Sequence, residues 1–465
     1  MSQTMTEAVT QRLDLVQEPI GWFLFLVFVV GYYFIATEEK YHINKAKPAL
    51  FAGTFMFIVI AGYYAVIGAP MGPVEHEVEH LILEIAEIFF FLYVAMTFIE
   101  ALIERGVFNS LKGGLLSKGY DNKKLFWVTG ALAFFISPVA DNLTTALILS
   151  TVLVTISKEK AFLVPGAVNI VVAANAGGAW SPFGDITTLM AWSAEKGHFI
   201  DFLFLFPASI IGWLVTAALL SRYVPEGHPP VVKEAQEVKG MQTGAKVVIA
   251  LGVFTIAAAV LGKQFLHLPP MWGMLFGLSL LKLYSYRLKR KHKQDIKIYE
   301  AIAKVENDTL LFFFGILAAV GALHFAGFLD YAVKLYHHVD AAGMVQGFDP
   351  TIVNIGVGFL SAIVDNVPVM SAVLKASPDM DLAQWMLVTL TAGVGGSLIS
   401  FGSAAGVGVM GKLHGIYTFG AHMRVSWTIL IGYIVSVAVW YLQYQVAEFY
   451  IKPDAPKTHM AQTTH

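Results

Sequence analysis

Ser137-Pro138-Val139-Ala140-Asp141-Asn142 and Ser361-Ala362-Ile363-Val364-Asp365-Asn366 repeat one pattern 224 residues apart, and each lies within an apolar stretch. The stretches run over 125–157 and 351–378. Each holds enough residues for two short helices, but not for two full crossings of a bilayer plus a loop, since a crossing takes about 20 residues. With an Asp-Asn pair near the middle, each reads as a helical hairpin that dips into a bilayer and returns. Such a turn survives only where protein or a water-filled cavity satisfies its backbone. An ordinary helix pair with a polar kink is the plainer alternative.

Working outward, the similarity continues. Phe89-Phe90-Phe91 is echoed by Phe312-Phe313-Phe314, and Phe183-Gly184-Asp185 by Phe401-Gly402-Ser403. Apolar segments of crossing length fall at 20–37, 47–68, 81–103, 162–192, 200–222, 245–262, 268–285, 308–329, 384–411 and 426–449. Each half therefore has three spans, a hairpin, a Gly-rich interrupted span and a closing span. Five crossings per half is odd, so the halves are expected to be inverted relative to each other. The expected fold is an all-α polytopic membrane protein of two inverted repeats, each with five transmembrane helices (one broken) and one re-entrant hairpin. Residues 20–222 form the first repeat, with hairpin 125–157 and broken helix 162–192. Residues 223–244 are a cytoplasmic linker. The second repeat is 245–450, with hairpin 351–378 and broken helix 384–411. Segments 1–19 and 451–465 are extracytoplasmic. Inverted repeats with broken helices are the architecture of secondary transporters, which bind substrate near the midplane where repeats meet.

Composition and charge agree. Of 465 residues 56% are apolar and only 14% charged, against about 25% charged in soluble proteins; mean hydropathy is +0.64. A net charge of -2 speaks against a nucleic-acid partner, and the absence of Cys excludes disulfide and thiolate chemistry. The 14 His are scattered and imply no structural metal. Of the 31 Lys and Arg, 24 fall in 37–47, 104–124, 158–161, 222–246, 282–304 and 412–425. The positive-inside rule puts these loops in the cytoplasm and both termini outside. The acidic stretch Glu75, Glu77, Glu79 reads as an outer loop. The first apolar run is followed by further spans and no small-residue cleavage pattern, so it reads as a retained helix.

Asp141 and Asp365 are candidates to carry the chemistry. A lone carboxylate in apolar surroundings must bind a cation, pair with a cationic side chain or take up a proton. A carboxylate that binds Na⁺ when ionised and releases it when protonated makes the two ions compete for one site. Asn142 and Asn366 add amide oxygens, and Thr144, Thr145 and Ser371 hydroxyls; helix capping is an alternative use of the Asp and Asn. The second cluster runs from Asn175 through Ser181 and Asp185 to Thr187 and Thr188, interrupted by Gly177, Gly178, Pro182 and Gly184. Freed carbonyls beside these side chains make a candidate cation cage, with close helix packing as the bland reading of the glycines. Its counterpart offers Ser397, Ser400 and Ser403 in place of the carboxylate. Glu84 and Glu87 share a face of the third span, and Glu100 falls near its cytoplasmic end. Glu87 reads as an accessory proton site or part of an access path, with a salt bridge or a water-facing position near the outer end as the alternative. Glu306 and Asp308 read as helix-start acids, and His324 as a hydrogen-bonding residue.

SPVADNLTTALIL at 137–149, NAGGAWSPFGDITTLMAW at 175–192, SAIVDNVPVMSAVL at 361–374 and GGSLISFGSAAGVGVMG at 395–411 resemble the NhaD-type Na⁺/H⁺ antiporters of the ion transporter superfamily. The resemblance covers roughly residues 20–450. It implies export of cytoplasmic Na⁺ or Li⁺ in return for external H⁺, across a bacterial inner membrane, with most use at alkaline pH. It also implies homodimers with a scaffold domain and a moving transport domain, and no cofactor. Family polar positions fall on Asp141, Asn142, Asn175, Asp185, Thr187, Thr188, Asp365 and Asn366, with Ser397, Ser400 and Ser403 as accessory positions; Na⁺ is expected at Asp141, Asn142, Asn175 and Asp185. Dicarboxylate carriers of the superfamily resemble the chain in layout but typically carry Ser-Asn-Thr at the hairpin tips. Asp there opposes an anion, which leaves a Na⁺-coupled organic-anion symporter as the alternative. No nucleophile–base set or nucleotide loop in the membrane segments points to an enzyme.

Overall fold

The computed structural model describes residues 12–446 except 42, 230–239, 294–295, 304, 337 and 340–344. The predicted tail 451–465, residues 1–11 of the leading segment 1–19 and residues 230–239 of the linker 223–244 lie outside the described residues. The regular structure described is helical apart from a two-residue antiparallel pairing of His338–Val339 with Val345–Gln346 and an isolated bridge between Tyr336 and Phe348. Among the described residues, nine helices are long and apolar enough to cross a membrane. Their apolar side chains face outward as well as inward: Phe51, Val66 and Phe265 are 66%, 87% and 71% exposed. In water such surfaces would be costly; against lipid tails they are solvated. The chain is a polytopic helical membrane protein.

Ten spans were expected, and the differences are instructive. Pro270–His292 is a helix of 23 residues, but its last turns carry Lys289, Arg290 and Lys291 and it is not among the nine. The third span begins at Gly72, not 81, and runs to Glu104. Pro73 fits its first turn, where no N–H is needed. The acidic stretch Glu75, Glu77, Glu79 is thus the start of that helix, correcting its assignment to a loop. The broken spans appear as expected, Lys160–Gly178 followed by Ile186–Ser193, and Leu382–Gly395 followed by Ala404–Lys412.

Both Asp-Asn pairs sit at breaks between paired helices. Asn122–Ala140 and Asn142–Ile156 flank Asp141, and Pro350–Ile363 and Asn366–Ala376 flank Asp365. Three of these arms have 11 to 15 residues. Asn122–Ala140 has 19, about 28 Å at 1.5 Å per residue, so it is longer than a short hairpin arm requires.

The likeness of the halves extends to atomic contacts. Ser137 Oγ donates to the Ala174 carbonyl (2.6 Å), and Ser361 Oγ to the Ala392 carbonyl (2.7 Å). A Cβ on Gly177 would sit 2.3 Å from the Phe134 oxygen, and one on Gly395 would sit 2.2 Å from the Gly358 oxygen. Only glycine permits backbones that close. In both cases the first arm of a hairpin lies against the first half of the following broken span, and the two sets of contacts share their sequence offsets. The second arms cross over. Asn142–Ile156 packs on Ala404–Lys412, and Asn366–Ala376 on Ile186–Ser193. The four interruptions therefore converge. Lys160–Gly178 and Asn307–Phe325 are the most buried of the long helices, at 89% and 72%, whereas Pro19–Ala36, Ala46–Ile67 and Ala245–Leu266 are 17%, 28% and 22% buried, so these last three lie at the rim.

Candidate ion-binding site

Asp185 closes the break in the first broken span. Its backbone is extended, it caps Ile186–Ser193, and its side chain is 3% exposed. Oδ1 accepts from the Thr187 N–H and hydroxyl, both at 2.9 Å. Asn142 Nδ2 donates to Oδ2 at 2.7 Å, and Asn366 Nδ2 reaches the same oxygen at 3.2 Å. One carboxylate thus gathers donors from both hairpin tips and its own helix. All are neutral, and no described Lys or Arg forms an ion pair with it. A buried anion held only by dipoles keeps a net charge that a small hard cation or a proton can neutralise.

Asn175 extends the network. Its Oδ1 accepts from Asn142 (3.0 Å), and its Nδ2 donates to Ser397 Oγ and Ser403 Oγ, both at 2.8 Å. Asn142, Asn175, Asp185, Thr187, Asn366, Ser397 and Ser403 are accordingly one connected set, drawn from both halves and fully or nearly buried.

The remaining sequence candidates sit at its edges. Asp141 is bonded within its own turn, accepting from Thr144 N–H (2.8 Å) and hydroxyl (2.7 Å). Its φ of 54° and ψ of 161° cost a non-glycine residue about 1–3 kcal/mol. Capping is therefore real at this position, and so is the carboxylate's burial beside Asn142. Asp365 instead caps through the Val367 N–H (3.4 Å) and pairs with Lys45 Nζ at 3.2 Å. Thr188 donates to the Gly178 carbonyl (3.4 Å), one of the carbonyls freed by the break, and Ser181 to that of Pro138 (2.8 Å). Ser400 is buried in the second break; its hydroxyl and those of Thr145 and Ser371 have no hydrogen-bond partner among the described residues.

Glu87 is elsewhere. It lines two adjoining cavities of 590 and 690 Å³, together with Glu84, Glu77, His76, His80 and His324 in one and Lys196, Lys263 and Asp201 in the other. Lys375 pairs with Glu84 there at 2.8 Å. Partial burial lowers the pKa of Lys196 in the adjoining loop. Glu306 accepts from Thr309 (3.0 Å) and Asp308 from Asn44 (2.7 Å), as helix-start acids do. His324 lies 3.6 Å from Glu77 on the neighbouring helix.

Residues 32–393 match a family model described as citrate transporter. The Na⁺/H⁺ antiporter NhaD of Alkalimonas amylolytica is 42% identical over 453 residues, 92% of this chain and 91% of its own. That of Vibrio cholerae is 41% identical over 455 residues, 92% of this chain and 93% of its own. The chain belongs to the NhaD antiporter family. Sodium/proton antiporter 1 of Arabidopsis thaliana is a more distant relative, 30% identical over 89% of this chain and 71% of its own.

Within this NhaD-family chain, three residues at the site had escaped sequence reading. Lys45 stood among other basic residues in a loop, Tyr32 in an unremarkable apolar span, and His422 in a segment read as cytoplasmic loop. His422 is fully buried, with Nε2 3.0 Å from the Ser397 carbonyl oxygen and Nδ1 2.7 Å from the Tyr417 hydroxyl. It braces the turn that presents Ser397 to Asn175. The signal available was weak: a single His in TFGAHMR, with nothing in spacing to mark it as buried.

Proposed function

We propose that the chain is a secondary active antiporter, exporting cytoplasmic Na⁺ or Li⁺ in exchange for external H⁺. The observation that carries the reading is Asp185, a buried carboxylate at the meeting point of both hairpin tips, ringed by neutral donors. Family membership supports the same cation. In the cycle, cytoplasmic Na⁺ displaces protons from Asp185 and Asp141, the loaded site turns to the other face, and external protons displace Na⁺. Asn142, Asn175, Thr187 and Thr188 supply oxygens and hold the carboxylates, with Ser181, Ser397, Ser400 and Ser403 as accessory groups. Asn366 positions Asp185. Glu87 belongs to an access path.

The finer architecture is part of the proposal. The repeats 20–222 and 245–450 lie inverted in a bacterial inner membrane, with both termini periplasmic and both Asp-Asn turns re-entrant. The recurrence of hairpin-to-span contacts supports the repeat, and the loop charges support the orientation. A homodimer with a moving hairpin domain, serving pH homeostasis, completes the reading.

A carboxylate-carrying symporter is the second reading, favoured by the citrate-transporter description of the family model. It would need cationic or donor groups free to meet an anion. Lys45, the cationic side chain at the tips among the described residues, is already paired with Asp365. Purified protein in acid-loaded vesicles with an internal pH dye separates the two. Antiport gives dye recovery on adding Na⁺ or Li⁺ with no organic anion present. Recovery that requires a carboxylate would favour the symporter.

A further inference from the structure

The two hairpin tips match in sequence and differ in charge. Asp141 meets Thr144 and, among the described residues, no cationic side chain, whereas Asp365, its counterpart, meets Lys45. Both members of that pair are largely buried, at 15% and 6% exposure. The ammonium also stands 4.2 Å above the Phe312 ring centroid, a second favourable contact for a desolvated cation. Lys45 lies at the foot of helix Ala46–Ile67. That helix is fixed to Asn307–Phe325, for a Cβ on Gly53 would fall 2.3 Å from the Gly315 oxygen and one on Gly315 2.3 Å from the Leu50 nitrogen. The Asp365 N–H donates to the Tyr32 hydroxyl at 2.8 Å. The turn is thus held from two rim helices, and the next residue, Asn366, points its amide at Asp185.

We propose that Lys45 is the tethered cation of the second half, so that Asp365 is a positioning residue and not a ligand of the transported ion. A covalently attached ammonium 3.2 Å from the carboxylate competes at high effective concentration with any dissolved cation. Na⁺ and H⁺ are then left to Asp185 and Asp141, whose donors are neutral. The pair lines a 230 Å³ cavity with Tyr32, Thr37 and Glu38. Glu38 is the other carboxylate facing it and accepts from the Lys45 backbone N–H at 3.4 Å. Movement of the hairpin relative to the rim helices would have to part Lys45 from Asp365, which makes the pair a latch on the side chain that aims Asn366.

The proposal rests on the antiport reading for its transport measurements. Lys45→Met, Asp365→Asn, the double variant and Lys45→Arg are assayed in vesicles for Na⁺-driven dye recovery, and in detergent for the thermal midpoint with and without Na⁺. Each single neutralisation leaves a buried charge unpaired, so each is expected to lose about tenfold or more in rate and to unfold at lower temperature. The double variant is expected to regain both, within about threefold of the unaltered rate and at the unaltered apparent KM for Na⁺. Lys45→Arg is expected to retain exchange. A double variant that folds normally yet stays as inactive as Asp365→Asn would make Asp365 a ligand and overturn the proposal, as would full activity in Lys45→Met. If the unaltered protein shows no exchange, the antiport reading fails. The pair is then judged by the Na⁺-induced rise in midpoint: its survival in the double variant supports the tethered cation, and its loss overturns it.

Discussion

Asp185 accepts from Thr187, Asn142 and Asn366 and faces no described ammonium or guanidinium, so its charge is balanced only by what it binds. Asp185→Asn is expected to cut Na⁺-driven exchange on the order of a hundredfold or more while leaving the fold intact, because the amide keeps the shape and loses the charge. Circular dichroism and the dye assay together check this. Asn142→Ala removes donors to both Asn175 and Asp185. Hydrogen bonds to a charged group contribute about 1.5–3 kcal/mol, so the apparent KM for Na⁺ or the rate should worsen roughly tenfold to a hundredfold. Competition for one carboxylate also fixes a sign. Once pH falls below the titration of the site, protons displace Na⁺ and apparent KM should climb by about tenfold per unit for a single proton; a KM that never rises as pH is lowered over the range where the protein stays folded would contradict competition. Much of this was legible in the sequence because a carboxylate in an apolar run is costly wherever it lies. Lys45 was not, since a Lys between Lys40 and Lys47 reads as a basic loop until folding places it beside Asp365. Glu87 was open between a second proton site and an access path from sequence alone; it lies on the long helix that starts at Gly72 and lines the Glu77–Glu84 cavity, apart from the cluster.

At the level of helices, the breaks matter more than the spans. Gly177 and Gly395 let each hairpin's first arm touch the following broken helix, main chain against main chain. Gly177→Ala is expected to lower the thermal midpoint by the equivalent of about 1–3 kcal/mol, the usual cost of forcing atoms into a filled space. Gly62→Ala lies in a helix with nothing within 4 Å of its new Cβ, and should leave stability unchanged or raise it by up to about 1 kcal/mol. Equal effects at the two sites would mean that the close approach is unimportant. The break positions could be read from Gly, Pro and Asp because those residues cannot continue an apolar helix cheaply. Arm lengths could not: hydropathy is continuous through Asn122–Ala140, and Asp121, which caps it through the Lys124 N–H at 2.7 Å, was not recognised as a start. The crossed pairing of second arms with the opposite half's broken helix was also beyond one-dimensional reading, since it depends on contacts between residues over 170 positions apart.

For the whole molecule, the proposed inverted arrangement makes a directional claim. The chain contains no Cys, so single cysteines report topology without background. Lys123→Cys and Lys158→Cys, at the ends of the first hairpin, should react with a membrane-impermeant maleimide only from the cytoplasmic side. Asp349→Cys and Asp379→Cys, at the ends of the second, should react only from outside; all four positions are exposed. Labelling of all four from one side would exclude inversion. The central claim is exchange itself, and the direct measurement is purified protein in acid-loaded vesicles, followed by an internal pH dye as Na⁺, Li⁺ and K⁺ are added in turn. The expected result is rapid alkalinisation with Na⁺ and Li⁺, none with K⁺, and none with any cation in Asp185→Asn. Alkalinisation that is absent with Na⁺, or that persists undiminished in folded Asp185→Asn, would contradict it.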